Sequence, residues 1–287
     1  MTESTQQNLP WPKLTPAFVE TFVSKESLAG DHLAGKLDRE LDLLMQARHL
    51  IVRACAHVDE VSQTLEPSAR EMACAMLSVR LINDARSIAV LVGHGYVQQA
   101  IAVATAMSDA AFTLAALASD DTLALEWINH EELRQSVIST KKAIRRGCER
   151  VRYLKNVDVQ VKFFWDAYQF LSAIKHGNPR LLKRLDLQDM NAEMLTISVG
   201  PSASVAAHAV GSLALLFCQQ ILLLAARAHL EGFPSNPQLS EDIEFCRRAG
   251  MDEIDRLRDL NKPRSRAGQT ADATPAGRYD TNGVREP

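Results

Sequence analysis

Aromatic side chains are scarce in this chain: nine Phe, four Tyr and three Trp make up only 6% of 287 residues. Its core must therefore be mainly aliphatic, and Ala and Leu supply most of it. Both are strong helix formers. Alternating runs of β-branched residues are nearly absent, which argues against a large sheet. Cysteine is sparse too. Cys55, Cys74, Cys148, Cys218 and Cys246 are scattered, odd in number and never in CxxC spacing. That argues against a disulfide framework or a zinc site, and for a reducing compartment. Neither sign of charge dominates. A formal net charge of −3 gives no global attraction to nucleic acid and leaves only local patches to consider.

An apolar leader is also missing. The N-terminal stretch is polar and carries Pro10, Pro12 and Pro16, so no secretory signal is expected and the chain reads as cytoplasmic. Residues 205–226 form the most apolar run, but His208, Gln219 and Gln220 interrupt it. A buried bundle helix explains such a run better than a membrane span. There is no P-loop, GxGxxG, GxSxG or HExxH. A di-metal carboxylate bundle needs paired Glu-x-x-His motifs. Here Glu126 and His130 are four apart, and His57 and Glu60 stand in the reverse order. Neither a metal nor a cofactor is expected.

What is present is helical periodicity. Pro16 sits near the start of a first helix, and Asp31 is expected to cap a second, longer one. In that second helix Leu37, Leu41, Leu44, Ile51, Cys55 and Val58 follow a 4-3 spacing, with Arg48 as the gap. A single apolar stripe results. Further helices are expected over 67–92, 97–118, 122–152 (with a kink near His130), 159–175, 205–230 and 240–260. Breaks fall at Gly93-His94-Gly95, at Ser119-Asp120-Asp121, at 156–158 and at Gly177-Asn178-Pro179. Leu195 to Val199 alternates within the only β-like stretch, 185–201, and predicts a short hairpin. From Asn261 onward large apolar residues almost vanish, so a disordered tail is expected. The expected architecture is all-α, a bundle of about six to eight helices with one small β-hairpin. It comprises a flexible 1–14, one domain over 15–260 and the tail 261–287. Several nearly all-apolar helices in one domain need more cover than a single copy supplies, which predicts a homo-oligomer. Leu213, Leu216, Phe217 and Leu224 are expected in the core.

One segment carries chemistry. Tyr168, Ser172 and His176 recur every four residues, so they share a helix face. His176 falls at the helix C-terminus, where the dipole favours its charged form. Lys175, Arg180, Lys183 and Arg184 crowd the same end beside Asn178. Such a cluster can hold a phosphate, with His176 exchanging protons. The same stripe also fits a hydrogen-bonded contact anchoring the helix end, and His176-Gly177 also fits a plain helix stop.

The run Tyr168-Gln169-Phe170-Leu171-Ser172-Ala173-Ile174-Lys175-His176-Gly177 resembles the Y-x-x-L-S-x-x-x-H-G signature of a bacterial helical group related to the HEPN superfamily. The stretch from Ala85 to Tyr96, followed by Ala100, is similar to that group's helix, Gly-Tyr, helix segment. The resemblance covers residues 69–182. It implies RNA or nucleotide binding, metal-independent ribonuclease-like activity with His176, Tyr168 and Ser172 at the centre, and a role in stress response or phage defence. Two departures stand out. Thr105 and Asp109 occupy positions where the group often has Arg and Glu. The Arg that HEPN ribonucleases carry upstream of the His is replaced by Gln169, Phe170 and Leu171. The resemblance thus speaks to fold more than to catalysis.

Two more basic features compete for the role. Arg134, Lys141, Lys142, Arg145, Arg146, Arg150, Arg152 and Lys155 are opposed within their stretch only by Glu149. They form either a phosphate-contacting face or a solvated face paired with acids elsewhere. Arg80, Asp84 and Arg86 interrupt an apolar helix. They read as a network facing the His176 helix, where Arg80 or Arg86 would replace the missing Arg, or as a wet face or ion pair. The alternative to a HEPN-like RNA or nucleotide binder is a non-catalytic helical interaction or scaffold protein.

Overall fold

A computed structural model describes residues 16–62, 66–132, 136–151, 156–177, 187–191, 194–197, 205–231 and 233–260. The expected flexible N-terminus and tail lie outside the described residues. The described chain is overwhelmingly helical: α1 (Pro16–Val61), α2 (Ala69–Gly93), α3 (Val97–Leu117), α4 (Asp121–Ile128), α5 (Thr140–Val151), α6 (Val157–Lys175), α7 (Val205–Leu230) and α8 (Pro237–Leu260). Between α6 and α7, strands β1 (Leu187–Asn191) and β2 (Met194–Ile197) pair antiparallel, with Met190 opposite Leu195 and Asn191 opposite Met194.

Asp31 does not cap a second helix. Pro16 to Val61 is one helix of 46 residues. Proline is absent between positions 16 and 67, so nothing blocks the ladder. The residues before Asp31 are already helical, and its side chain has no free helix start to cap. Of the expected stripe Leu37, Leu44, Ile51 and Val58 are buried while Leu41 and Cys55 are only partly so, and Leu33, Ala47 and Ala54 complete the buried face.

A capping box opens α2. The Ser68 hydroxyl accepts the Glu71 N–H at 3.2 Å, and the Glu71 carboxylate accepts the Ser68 N–H at 2.6 Å. That arrangement satisfies two of the backbone donors at the helix start. After His94 and Gly95, α3 turns back and becomes the central helix, packed against α2, α5, α6 and α7. Small side chains make this possible: Ala100, Ala104, Ala111, Ala115 and Ala116 are all buried.

The expected helix over 122–152 is two helices, α4 and α5, rather than one with a kink. Asn129 caps α4, and Ser136 spends its hydroxyl on the Ile138 carbonyl at 3.0 Å. Ser, Asn and Thr in this stretch offer the backbone local alternatives to the helical ladder.

Among the described residues two helices, α3 and α7, are long and apolar enough to cross a membrane by length and composition, and 72% and 83% of their most apolar windows are buried within the chain. Three polar side chains of α7 have partners on its neighbours. Ser212 donates to Glu40 at 2.9 Å, Gln219 to the Cys246 carbonyl at 2.7 Å and Gln220 to the Arg247 carbonyl at 3.0 Å. Gly250 of α8 makes room for this: a Cβ there would lie 2.1 Å from Gln219 Oε1. Leu216, Phe217 and Leu224 are buried as expected, but Leu213 is 44% exposed. It lines an apolar cleft with Phe163, Phe170, Phe217 and Ile254. This cleft lies where α6 passes α7 and α8 without closing tightly onto them.

Candidate functional site

The outer stripe of α6 starts one turn earlier than the sequence signature suggests. Trp165, Tyr168, Ser172 and His176 are spaced 3-4-4 and therefore share a face. The first three are half-buried and His176 is exposed. Phe164, Leu171 and Ile174 are buried on the inward side of the helix. Phe164 meets Phe112 of α3 edge-on at 5.5 Å between centroids, which fixes how α6 presents its outer stripe.

Tyr168 turns its hydroxyl toward α3 rather than toward Ser172. It donates to Asp109 Oδ2 at 3.4 Å, while Thr140, the first residue of α5, donates to Asp109 Oδ1 at 2.7 Å. One carboxylate thus ties three helices together. Burial, helped by the Asp109 charge, pushes the Tyr168 phenol above its ordinary value. At neutral pH Tyr168 is consequently a hydrogen-bond donor and no base. Its ring stacks on Trp165 at 5.7 Å and 21°. Lys141 of α5 places its ammonium 5.7 Å from the Trp165 centroid, within range of a cation–π attraction.

At the other end of the stripe, His176 is the C-cap of α6. Its backbone N–H donates to the Ser172 carbonyl at 2.9 Å. Gly177 follows with φ at 71°, the left-handed region where a side chain is strained. Ser172 and His176 are thus joined through the backbone. Lys175 and His176 are both exposed to solvent. Asn178, Arg180, Lys183 and Arg184 lie outside the described residues.

The expected network on α2 does not converge on this end. Arg80 is more than half exposed and pairs with Asp84 one turn on, at 3.5 Å. Arg86 is exposed. Their helix packs on α1, α3, α4 and α7, whereas α6 packs on α3 and α5. Asp84 is half-buried, and burial raises its carboxyl above the usual range.

The basic stretch is largely spent on the fold. Arg145 pairs with Asp158 of α6 at 3.0 Å and with Glu149 at 3.8 Å. Arg146 reaches Asp120, the N-cap of α4, at 3.1 Å. Arg150 donates to the Glu231 carbonyl at 3.2 Å. These contacts cross-link α5 to α4, α6 and the end of α7. Lys141 and Lys142 stay exposed, and Arg134, Arg152 and Lys155 fall outside the described residues. Among the described residues no three His, Cys, Asp or Glu side chains converge as metal ligands.

Sequence reasoning misses Trp165 and Thr140 as members of the site, places Lys141 in the separate basic stretch, and names Asp109 only as a matching position. Trp165 has a legible signal, three residues ahead of Tyr168 on the same stripe. Thr140 has none, because a contact between helices carries no spacing rule. The chain matches no protein-family model, no curated protein and no solved structure.

Proposed function

We propose that this chain is a HEPN-like helical protein that binds RNA or a nucleotide along the outer stripe of α6. The observation that carries the reading is the stacked Trp165–Tyr168 pair with Lys141 at one end of the stripe and Lys175 with His176 at the other. Aromatic rings beside cations are what single-stranded nucleic acid uses, stacking a base and neutralising a phosphate. His176 is the group placed to exchange a proton with a bound phosphate. Tyr168, held protonated, acts as a donor. Ribonuclease activity on this stripe would be metal-independent and would lack the upstream Arg.

The same reading takes α3 and α7 as core helices of a cytoplasmic protein, and the β1–β2 pair as a small hairpin between α6 and α7. It also takes the chain as a homo-oligomer. Met72, Met76 and Val79 form an exposed apolar row on α2, at 40%, 61% and 60% exposure, which supports self-association.

A second reading, a non-catalytic interaction or scaffold protein, is favoured by the α5 arginines. Each described one is already paired within the chain, so the strongest basic feature is structural. The two readings separate in one assay. Wild type, His176→Ala, Lys175→Ala and Trp165→Ala are titrated with a fluorescent single-stranded RNA and with a nucleoside triphosphate at low and moderate salt, and the RNA is checked for cleavage. The RNA reading expects binding that weakens with salt and is reduced in all three variants. Absence of binding by wild type at low salt leaves the scaffold reading.

A further inference from the structure

The last helix is seated differently from its neighbour. From Ala214 to Ala226 every residue of α7 is buried. Along α8 the buried positions are Leu239, Ile243, Cys246, Gly250, Glu253 and Ile254. Leu239 and Ile243 stand in the first two turns and belong to the main core. Beyond them Ile254 is the one buried aliphatic side chain of the helix, and it joins Leu43 and Leu216 in a small cluster of its own.

Polar contacts do most of the holding along this stretch. Gln219 and Gln220 of α7 donate to the Cys246 and Arg247 carbonyls. The Cys246 thiol faces the Leu43 carbonyl at 3.9 Å. Glu253 is fully buried and pairs with Arg39 of α1 at 2.8 Å and with Arg256 of its own helix at 2.6 Å. Arg53 of α1 reaches Asp242 at 2.6 Å. Grooves flank the helix on both sides. One of about 470 Å³ runs between α1 and α8, walled by Met45, His49 and Phe245. The apolar cleft, about 170 Å³, lies on the α6 side with Ile254 in its wall. Neither seam is filled as a close-packed core would be.

The two kinds of attachment differ in how hard they resist separation. Apolar surface drawn out of a core gains nothing from water. An amide, a carboxylate or a guanidinium exchanges its protein partner for water, so each such contact holds two elements together only weakly. The Arg39 and Arg256 side chains are already 60% and 50% exposed.

We propose that α8 beyond Ile243 is a detachable cover. In the folded protein it lifts from α1 and α7 as a unit, anchored by Leu239 and Ile243, and uncovers Leu43, Leu216 and the Phe163 and Phe217 walls of the apolar cleft. Such a unit opens at a free energy below that of global unfolding. The proposal does not depend on RNA binding by the α6 stripe.

Buried cysteines report the motion. Cys246 lies under α8, whereas Cys148 and Cys218 are fully buried in α5 and α7. The full-length native protein is treated with N-ethylmaleimide at pH 7.5 over a series of low urea concentrations. Each thiol is quantified by peptide mass spectrometry relative to its reaction in the unfolded chain. Cys246 is expected to react at least about tenfold faster than Cys148 and Cys218 and with a shallower urea dependence, because a lifted helix exposes less surface than an unfolded chain. Arg39→Ala leaves Glu253 a partner short while α8 is seated, and is expected to speed Cys246 several-fold. Ile144→Val, in the core under α5, weakens the seated and lifted states alike. It is expected to speed Cys218 by about two- to tenfold and to leave Cys246 unchanged. A Cys246 rate no higher than that of Cys218, an unchanged Cys246 rate in Arg39→Ala, or equal acceleration of Cys246 and Cys218 in Ile144→Val would each overturn the proposal. If Arg39→Ala does not fold, wild type and Ile144→Val still decide.

Discussion

His176 closes α6 in water, with Gly177 turning the chain behind it, whereas His229 sits in the last turn of α7 beneath Phe233 and Arg70. Both histidines stand near a helix end, where the dipole favours a charged ring. At His229 burial outweighs the dipole and holds the ring neutral. The same residue type near a helix end is therefore solvent-facing in one place and a buried, neutral ring in the other. The difference lies in what packs over each end. The α6 end meets solvent at Lys175 and His176, while the α7 end is roofed by the segment leading into α8 and by the first turn of α2.

The sharpest way to test this contrast is to truncate both regions. Leu216 of α7 is fully buried against Leu43 and Ile254. Leu216→Ala should cost about 2–5 kcal/mol, as large-to-small core changes do, read as a lower denaturation midpoint in urea at unchanged m-value. A loss under about 1 kcal/mol would mean that α7 is not the clamped core helix described.

Acid titration probes the buried histidine itself. Between its ordinary value of 6.5 and the depressed value of about 4, the unfolded chain takes up a proton that the folded chain refuses. Stability from this group is intact above 6.5 and falls as the pH drops toward 4. The loss is at most about 3.5 kcal/mol, from roughly 1.4 kcal/mol per unit. His229→Phe should flatten that limb relative to wild type in urea melts at pH 7 and pH 4.5. Parallel pH profiles for the two proteins would show that His229 charges freely in the folded state.

Smaller effects belong to the α6 side. Tyr168→Phe removes a long hydrogen bond while Asp109 keeps Thr140, so a cost of about 0.5–1 kcal/mol is expected. A neutral outcome would mean that the Asp109 tie rests on Thr140 alone. His176→Ala should change stability by no more than about 0.5 kcal/mol, as exposed sites do, while reducing RNA binding. If it unfolds the protein, the helix-stop reading of His176 prevails over the ligand reading.

Much of the fold is legible in the sequence. The stripe of α1, the recapping at Asp120, the polar break at Asn156 and the stops at His94 and His176 follow from local rules of spacing, capping and backbone freedom. The departures are also local in kind. Asp31 looks like a cap because its residue type is right, yet a cap needs a free helix start, and an unbroken run of helix formers removes it. The end of α4 at Ile128 reads as a kink, because isolated Ser and Asn residues do not reveal in sequence how strongly they will bond their own backbone. Leu213 reads as core because its helix is apolar all round, and such a helix gives no phase by which one exposed position can be told from its neighbours.

The sequence by itself determined the class: Ala- and Leu-rich periodic runs with clear stops can only bury their faces against one another, and a helical bundle is the outcome. It also determined that Trp165, Tyr168, Ser172 and His176 share a face, because helical spacing is a property of the backbone. Tertiary structure alone decided what each charge does. It consumed Arg145, Arg146 and Arg150 as struts to Asp158, Asp120 and Glu231, aimed Tyr168 at Asp109 on another helix, and sealed His229 under Phe233. Side-chain charge acts through space over a few ångströms, and the partners that lie within that reach are chosen by helix packing, which no spacing along the chain encodes.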